Sequence, residues 1–311
     1  MFRWLKHLAA VGVLALVAAC GGGSDGPAAP GTIAQQAQAD ARLSTLVEAL
    51  TAADLAPVLS SSSSFTVFAP TNDAFAKLLT ELGVTKEQLL ADKTLLASVL
   101  TYHVLPNRVT KSEIPAGKAI TTVQGGIFKI DATGSALVIT DGRNRKSQIT
   151  QADVPASNGV IHVIDTVLLP ANKNIVQTAQ AAPDFSILVE AVVAAGLVDA
   201  LSAPGPLTVF APTNAAFADL LAELGLTKEQ LFANRALLTQ VLTYHVVNGR
   251  LLKADVPVGQ PVTTVQGQTF TVDSSLAITD QRSRRAAIVA TDVLASNGVI
   301  HVVDKVILPR P

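Results

Sequence analysis

The chain is poor in the residues that usually commit a sequence to a chemistry. One cysteine, Cys20, serves all 311 residues, so no internal disulfide can form and no cysteine cluster can hold a metal. Charged residues make up only 15%, with a formal net charge of −1. That balance excludes acidic or basic tails and argues against a nucleic-acid binder, whose domains carry a clear basic excess. Mean hydropathy is +0.41, raised by alanine, yet no internal apolar run approaches the ~20 residues of a spanning helix. No glycine-rich phosphate loop leads from a strand into a helix, because Gly125-Gly126 sits between two strand-like runs, and there is no nucleophile elbow or paired-carboxylate motif. What remains is apolar: 49% of the residues are hydrophobic, too many for wholesale disorder. At ~100–200 residues per domain, the length suits two domains with real cores.

The first residues read as an address. Arg3 and Lys6 give a positive start, Leu8 to Leu16 an apolar stretch, and Ala18-Ala19 lead into Cys20, which is the grammar of a signal peptide over 1–19. Val17-Ala18-Ala19-Cys20 resembles a bacterial lipobox, which implies lipidation of Cys20 as the first mature residue. More than one acyl chain would suffice as a membrane tether. Gly21 after the cysteine, where an Asp would imply retention, resembles a signal for the outer membrane. Residues 20–31, rich in Gly, Ser and Pro, read as a flexible leash. Cleavage would remove Trp4, Met1 and His7, leaving His103, His162, His245 and His301.

The remainder is one unit written twice. Thr66-Val67-Phe68-Ala69-Pro70-Thr71-Asn72 returns as Thr208-Val209-Phe210-Ala211-Pro212-Thr213-Asn214, and Leu100-Thr101-Tyr102-His103-Val104 as Leu242-Thr243-Tyr244-His245-Val246, both 142 residues on. Ser157-Asn158-Gly159-Val160-Ile161-His162-Val163 returns as Ser296-Asn297-Gly298-Val299-Ile300-His301-Val302, now 139 residues on. The second copy therefore lacks three residues between Asp131 and Ile139, around Gly134 and Ser135. A period this long means tandem domains rather than a solenoid. The expected boundaries are 32–170 and 174–309, with 171–173 as linker. So short a linker predicts limited freedom between the domains.

Within each copy, Leu43, Leu46, Val47 and Leu50 have helical spacing, as do Leu188, Val189, Val192 and Val193. A serine run (60–64) then interrupts, followed by a strand over Phe65 to Ala69. Thr71 or Asn72 offers an N-cap for a helix over Asp73 to Leu82 that closes at Gly83. Thr85 starts a short helix, and Leu95 to His103 forms a third. Beyond Pro106 the pattern turns to strands at Ala119–Val123, Ile127–Asp131, Leu137–Thr140, Ser147–Val154 and Val160–Leu169. Asn158-Gly159 predicts a hairpin between the last two. The nearly all-apolar last strand should be covered on both faces. Helices first and strands second argue α+β with a largely antiparallel sheet.

Histidine is the usual acid, base or ligand near neutral pH, and all four remaining histidines fall in matched pairs. His162 and Asp165 recur as His301 and Asp304, but residues three apart on a strand face opposite ways. Two histidines per copy also leave a zinc ion short of ligands. The expected roles are structural: His103 and His245 at a helix end that favours positive charge, His162 and His301 hydrogen-bonded in a core strand. No metal, cofactor or catalytic residue is expected. Tyr102 and Tyr244 follow apolar helical runs and suit a core or an interface. Arg143, Arg145 and Lys146 match Arg282, Arg284 and Arg285. Each triad follows Thr-Asp in an expected hairpin tip and would make a local positive spot for anionic glycan or lipid headgroups, or a charged loop that blocks edge pairing.

Phe-Ala-Pro-Thr-Asn before a helix, Tyr-His, and Asn-Gly-Val-Ile-His-Val, in that order and twice, resemble the fasciclin (FAS1) domain family. The resemblance implies two β-sandwich wedges with helices packed on one edge. It also implies an extracellular adhesion or matrix-binding module without established catalytic residues. Tyr102-His103 and Tyr244-His245 match the motif linked to adhesion in animal members. Asn158, Gly159, Asn297 and Gly298 read as structural turn residues. The expected function is a lipid-anchored adhesion protein facing a cell-surface or matrix partner, protein or anionic glycan, with no nucleic acid. The alternatives are a carrier of an apolar small molecule, such as a lipid or pigment, and a hydrolase.

Overall fold

The computed structural model describes residues 30–59, 63–134 and 136–311. The leader over 1–19, Cys20, the leash up to residue 29 and part of the serine run lie outside the described residues. The first copy opens with α1 (Ile33–Ala39), α2 (Ser44–Ala52) and α3 (Ala56–Leu59), then β1 (Phe65–Pro70), α4 (Asn72–Leu82), α5 (Lys86–Ala91) and α6 (Lys93–Tyr102). It continues with β2 (Val104–Leu105), β3 (Ala119–Thr121), β4 (Ile127–Thr133), β5 (Ala136–Thr140), β6 (Lys146–Ala156) and β7 (Gly159–Ile164). The second copy repeats the order as α7 (Ile175–Gln180), α8 (Ser186–Ala195), α9 (Val198–Ser202), β8 (Leu207–Pro212), α10 (Asn214–Leu224), α11 (Lys228–Ala233) and α12 (Arg235–Tyr244). Its strands are β9 (Val246–Asn248), β10 (Pro261–Thr263), β11 (Thr269–Val272), β12 (Ala277–Thr279), β13 (Arg285–Ala295) and β14 (Gly298–Val303).

Each copy folds as one seven-stranded sheet, in the orders β2-β1-β7-β6-β5-β4-β3 and β10-β11-β12-β13-β14-β8-β9. The architecture is α+β in two tandem units. Among the described residues, β1–β7 and β8–β14 pair in parallel and the other neighbouring strands of these sheets antiparallel. β7 lies between β1 and β6, and all six of its residues are buried, as its nearly all-apolar run requires. It stops at Ile164, short of the strand expected to Leu169. Asp165 turns back to accept from Gln148 N and Ser147 Oγ, and the next amides find side chains instead of a neighbouring strand. The three residues missing from the second copy shorten the β11–β12 hairpin relative to β4–β5.

Alternation along β7 divides each core. Ile161 and Val163 face the helices with Leu46, Phe75, Leu96 and Val99. Ile164 faces the other way, into a cluster of Phe68, Tyr102, Phe128 and Ile139, where Phe68 and Phe128 meet edge to face at 5.1 Å. The long β6 serves both layers. Its start pairs with β5 and its end with β7. Two register shifts and Asp153 in the left-handed region (φ 58°) bend it between them.

Buried Asn158 ties the β6–β7 turn to the helices. Its Oδ1 accepts from Ile33 N at 2.8 Å and its Nδ2 donates to Leu59 O at 2.7 Å. Asn297 does the same for Ile175 and Leu201. Beside them a Cβ on Gly159 or Gly298 would lie 2.0 Å from the carbonyl oxygen of Phe65 or Leu207, so only glycine fits that approach.

Between α7, α8 and β8 of the second domain a largely apolar cleft of about 30 Å³ is lined by Val192, Val209, Leu242, Ile300 and His245, where Val192 stands in the place of Leu50. It is far smaller than a lipid or pigment needs. Val192→Leu should restore the missing methylene and raise the stability of the second domain by about 1 kcal/mol, read as a higher urea midpoint. An unchanged or lower midpoint would show that the walls have already closed.

Candidate functional site

The Tyr-His pairs close α6 and α12, and the apolar faces of those helices carry them inward. Tyr102 and Tyr244 are 0% exposed, and His103 and His245 2%. The Tyr102 hydroxyl donates to Ile127 O and accepts from Gly142 N, and that of Tyr244 donates to Thr269 O at 2.8 Å. Burial raises both phenols, Tyr244 to about 12. His103 Nε2 accepts from Leu168 N at 2.9 Å, which leaves Nδ1 to donate to Val99 O at 2.7 Å. His245 repeats this with Ile307 N and Val241 O. Burial pulls both imidazoles down to about 4. The expected cationic cap at the helix end is therefore a neutral ring used as a cross-tie, because desolvation outweighs the helix dipole. No part of either motif is offered to a partner at the surface.

His162 and His301 are likewise buried and neutral, held down first by desolvation. Their Nδ1 atoms accept from Asp153 N and Asp292 N, and their Nε2 atoms donate to Val109 O and Leu251 O. With both ring nitrogens engaged by backbone, neither ring has a free nitrogen for a substrate or ion. Among the described residues no group of three His, Cys, Asp or Glu could hold a metal.

The basic triads do not form free positive tips. Each wraps a buried carboxylate that the charge pattern alone did not single out. Asp141 Oδ1 accepts from Arg143 N and Arg145 N, and Oδ2 from Leu169 N and Arg145 Nε. Asp280 accepts from Arg282 N, Arg284 N and Leu308 N in the same way. Arg145 also bonds Val167 O and pairs with Glu81 at 2.6 Å, and Arg284 bonds Val306 O. Lys146 meets Thr140 Oγ1, Arg282 meets Pro309 O, and Arg285 pairs with Asp273. Two triad nitrogens are buried without a partner, Nη1 of Arg284, which is otherwise bonded, and Nε of Arg143.

Arg143 leads to a feature that the sequence reading missed, the join between the copies. Asn144, next to it in the β5–β6 turn, bonds both the amide and the carbonyl of Leu294 across the join, at 2.7 and 3.0 Å. Lys129 on β4 reaches Asp292 on β13 at 2.7 Å with both side chains buried. Ile127 packs with Leu252, Leu294 and Val299. Four of these residues have repeat partners of different chemistry. Ile127 and Lys129 correspond to Thr269 and Thr271, and Leu252 and Leu294 to Thr110 and Pro155. At these four positions an apolar or charged residue stands where the copies touch and a polar one or proline in the repeat partner, whereas Asp292 and Val299 keep the types of Asp153 and Val160. That mismatch between otherwise similar repeats was the available signal.

Two segments, residues 41–170 and 183–309, match the fasciclin domain family. The transforming growth factor-beta-induced protein ig-h3 of Sus scrofa is 31% identical over 260 residues, covering 82% of this chain and 36% of that protein. Periostin of Homo sapiens is 28% identical over 260 residues, covering 82% of this chain and 28% of periostin. Protein sll1483 of Synechocystis is 44% identical over 144 residues, 45% of this chain and 73% of that protein. The chain thus spans about a third of the length of its two animal relatives. The solved FAS1 domain pair from the insect cell adhesion molecule fasciclin I aligns with 86% of this chain and 97% of its own, with 21% identity and a TM-score of 0.43.

Proposed function

The chain belongs to the fasciclin domain family, and from that membership we propose that it is an extracytoplasmic adhesion protein that presents two such domains to a cell-surface or matrix component. The observation that carries the reading is the family match over both halves. Relatives in the family are extracellular, adhesion-type proteins. In this reading residues 1–19 are a signal peptide, lipid on Cys20 tethers the chain to a bacterial outer membrane, and 20–31 is a leash. The domains are 32–170 and 174–309, with 171–173 between them. The chain works by binding and carries no catalysis: its histidines are spent on backbone groups, and an acid–base role needs a reachable ring nitrogen.

The test compares attachment of cells that make the chain, lack it, or make Cys20→Ser. Loss of the chain should lower attachment to a polysaccharide-coated surface several-fold. Cys20→Ser should stop incorporation of labelled fatty acid and give the same loss. Equal attachment with and without the chain would overturn the adhesive role, and a Cys20→Ser chain that still takes up the label would overturn the anchor.

A further inference from the structure

The join between the domains is hollow, and its walls carry cations without counter-ions. One hollow of about 340 Å³ is walled by Gln124, Gly142, Arg250, Leu294 and Ser296. A second, of about 360 Å³, shares Gly142 and Leu294 with it and adds Arg143, Asn172 and Lys173. A third, of about 480 Å³, shares Arg250 and Ser296 and adds Asn174, Gln177 and Asn297. The shared walls make one run of hollows that begins at the join and continues onto the second domain, which supplies every residue lining the third. No Asp or Glu lines any of the three, in a chain whose acids and bases nearly balance.

Two of the cations are half-buried and unpaired. Among the described residues three buried side-chain atoms lack a hydrogen-bond partner, and two of these are Arg143 Nε and Arg250 Nε. Neither arginine takes part in an ion pair among the described residues. Burial draws the Arg250 guanidinium below its usual range, and no acid opposes that. Leaving an arginine desolvated and unpartnered is costly, so a site that keeps two is shaped for an incoming anion. Arg108, the repeat partner of Arg250, is exposed instead. The rest of the lining mixes amides and hydroxyls (Gln124, Asn172, Asn174, Gln177 and Ser296), groups that bond sugar hydroxyls, with apolar walls such as Ile127 and Leu294 that suit a sugar ring face.

We propose that this groove binds an acidic polysaccharide, with carboxylates of its uronic acid units held by Arg250 and Arg143 and its hydroxyls by the flanking amides. Arginine suits the task because its planar fork matches a carboxylate with two parallel hydrogen bonds. The inference deepens the matrix-contact reading and rests on it.

Calorimetry on the full chain in mild detergent tests it with three probes: tetragalacturonate, neutral maltotetraose and inorganic sulfate. Tetragalacturonate should bind at least tenfold more tightly than either of the others. Arg250→Gln and Arg143→Gln should each weaken it about tenfold or more without lowering the melting temperature, since neither guanidinium nitrogen is tied down at Nε. Arg108→Gln should leave it unchanged. Absence of tetragalacturonate binding, equal binding of maltotetraose, or sulfate binding as tightly would overturn the assignment, as would an equal loss in Arg108→Gln. The attachment assay separates the two levels: an adhesive chain whose Arg143 and Arg250 variants attach normally sinks the groove alone. A groove that binds the sugar in a chain whose loss leaves attachment intact sinks the adhesive reading alone.

Discussion

Acidification from pH 7.5 to 5.0 should remove about 2 kcal/mol of stability from each domain. The cause is His103 in the first and His245 in the second. Each has a folded-state value of about 4 against 6.5 for an ordinary imidazole. The sign follows from where protons bind. Between pH 6.5 and 4 the unfolded chain takes up a proton at each site that the folded chain refuses, so stability rises with pH across that window. It is fully present above 6.5 and is lost as pH falls through the window. The charged neighbours do not reverse this. Arg145 beside His103 opposes its protonation further, while Asp280 and Arg284 act on His245 in opposite senses. His162 and His301 are lowered too and add in the same direction. Urea melts followed by circular dichroism at the two pH values measure the effect, and His103→Asn should flatten the dependence of the first domain. Equal midpoints at pH 5.0 and 7.5, or a higher one at 5.0, would refute the neutral cross-tie.

The same residues show what the sequence made legible. Thr71 and Gly83 mark the ends of α4 because capping and a left-handed residue are local requirements: Thr71 Oγ1 accepts from Ala74 N, and Gly83 has φ 64°. The nearly all-apolar run after Asn158-Gly159 called for a strand covered on both faces, for an equally local reason. The fate of charged side chains was harder to read. Arg145 looks like a solvated loop residue until the fold brings Val167 and buried Asp141 to it. The clue was an Asp four residues before an Arg in both copies, at Asp141/Arg145 and Asp280/Arg284. Lys129 was harder still, because its partner lies 163 residues away in the other domain. Such a contact has no signature within one repeat. It shows only when the two copies are laid side by side and Lys129 is seen to replace the Thr271 type.

That ion pair carries the other large expected effect. Asp292→Ala should destabilise the paired molecule by about 3 kcal/mol, because it leaves the Lys129 ammonium in a buried site with its main counter-ion gone. Burial alone would draw Lys129 down, but hydrogen bonds to Asp292 and Asp131 outweigh it and the ammonium is held above its usual range. Asp131 remains in the variant at 3.1 Å, yet its carboxylate is 36% exposed against 2% for Asp292, so solvent screens what it offers. The amide of Lys253, which donates to Asp292 Oδ1 at 2.7 Å, also loses its acceptor. Replacing both partners together, as Lys129→Met with Asp292→Leu, should cost much less, since the two apolar side chains would join the cluster of Ile127, Leu252 and Leu294. Stability then separates from docking: the single variant should widen the small-angle scattering envelope and open residues 171–173 to proteolysis, and the double variant should do neither. If Asp292→Ala instead melts within 1 kcal/mol of the parent and scatters identically, the pair is not what fixes the domains. Asn144 and the apolar contact would then have to hold the join by themselves.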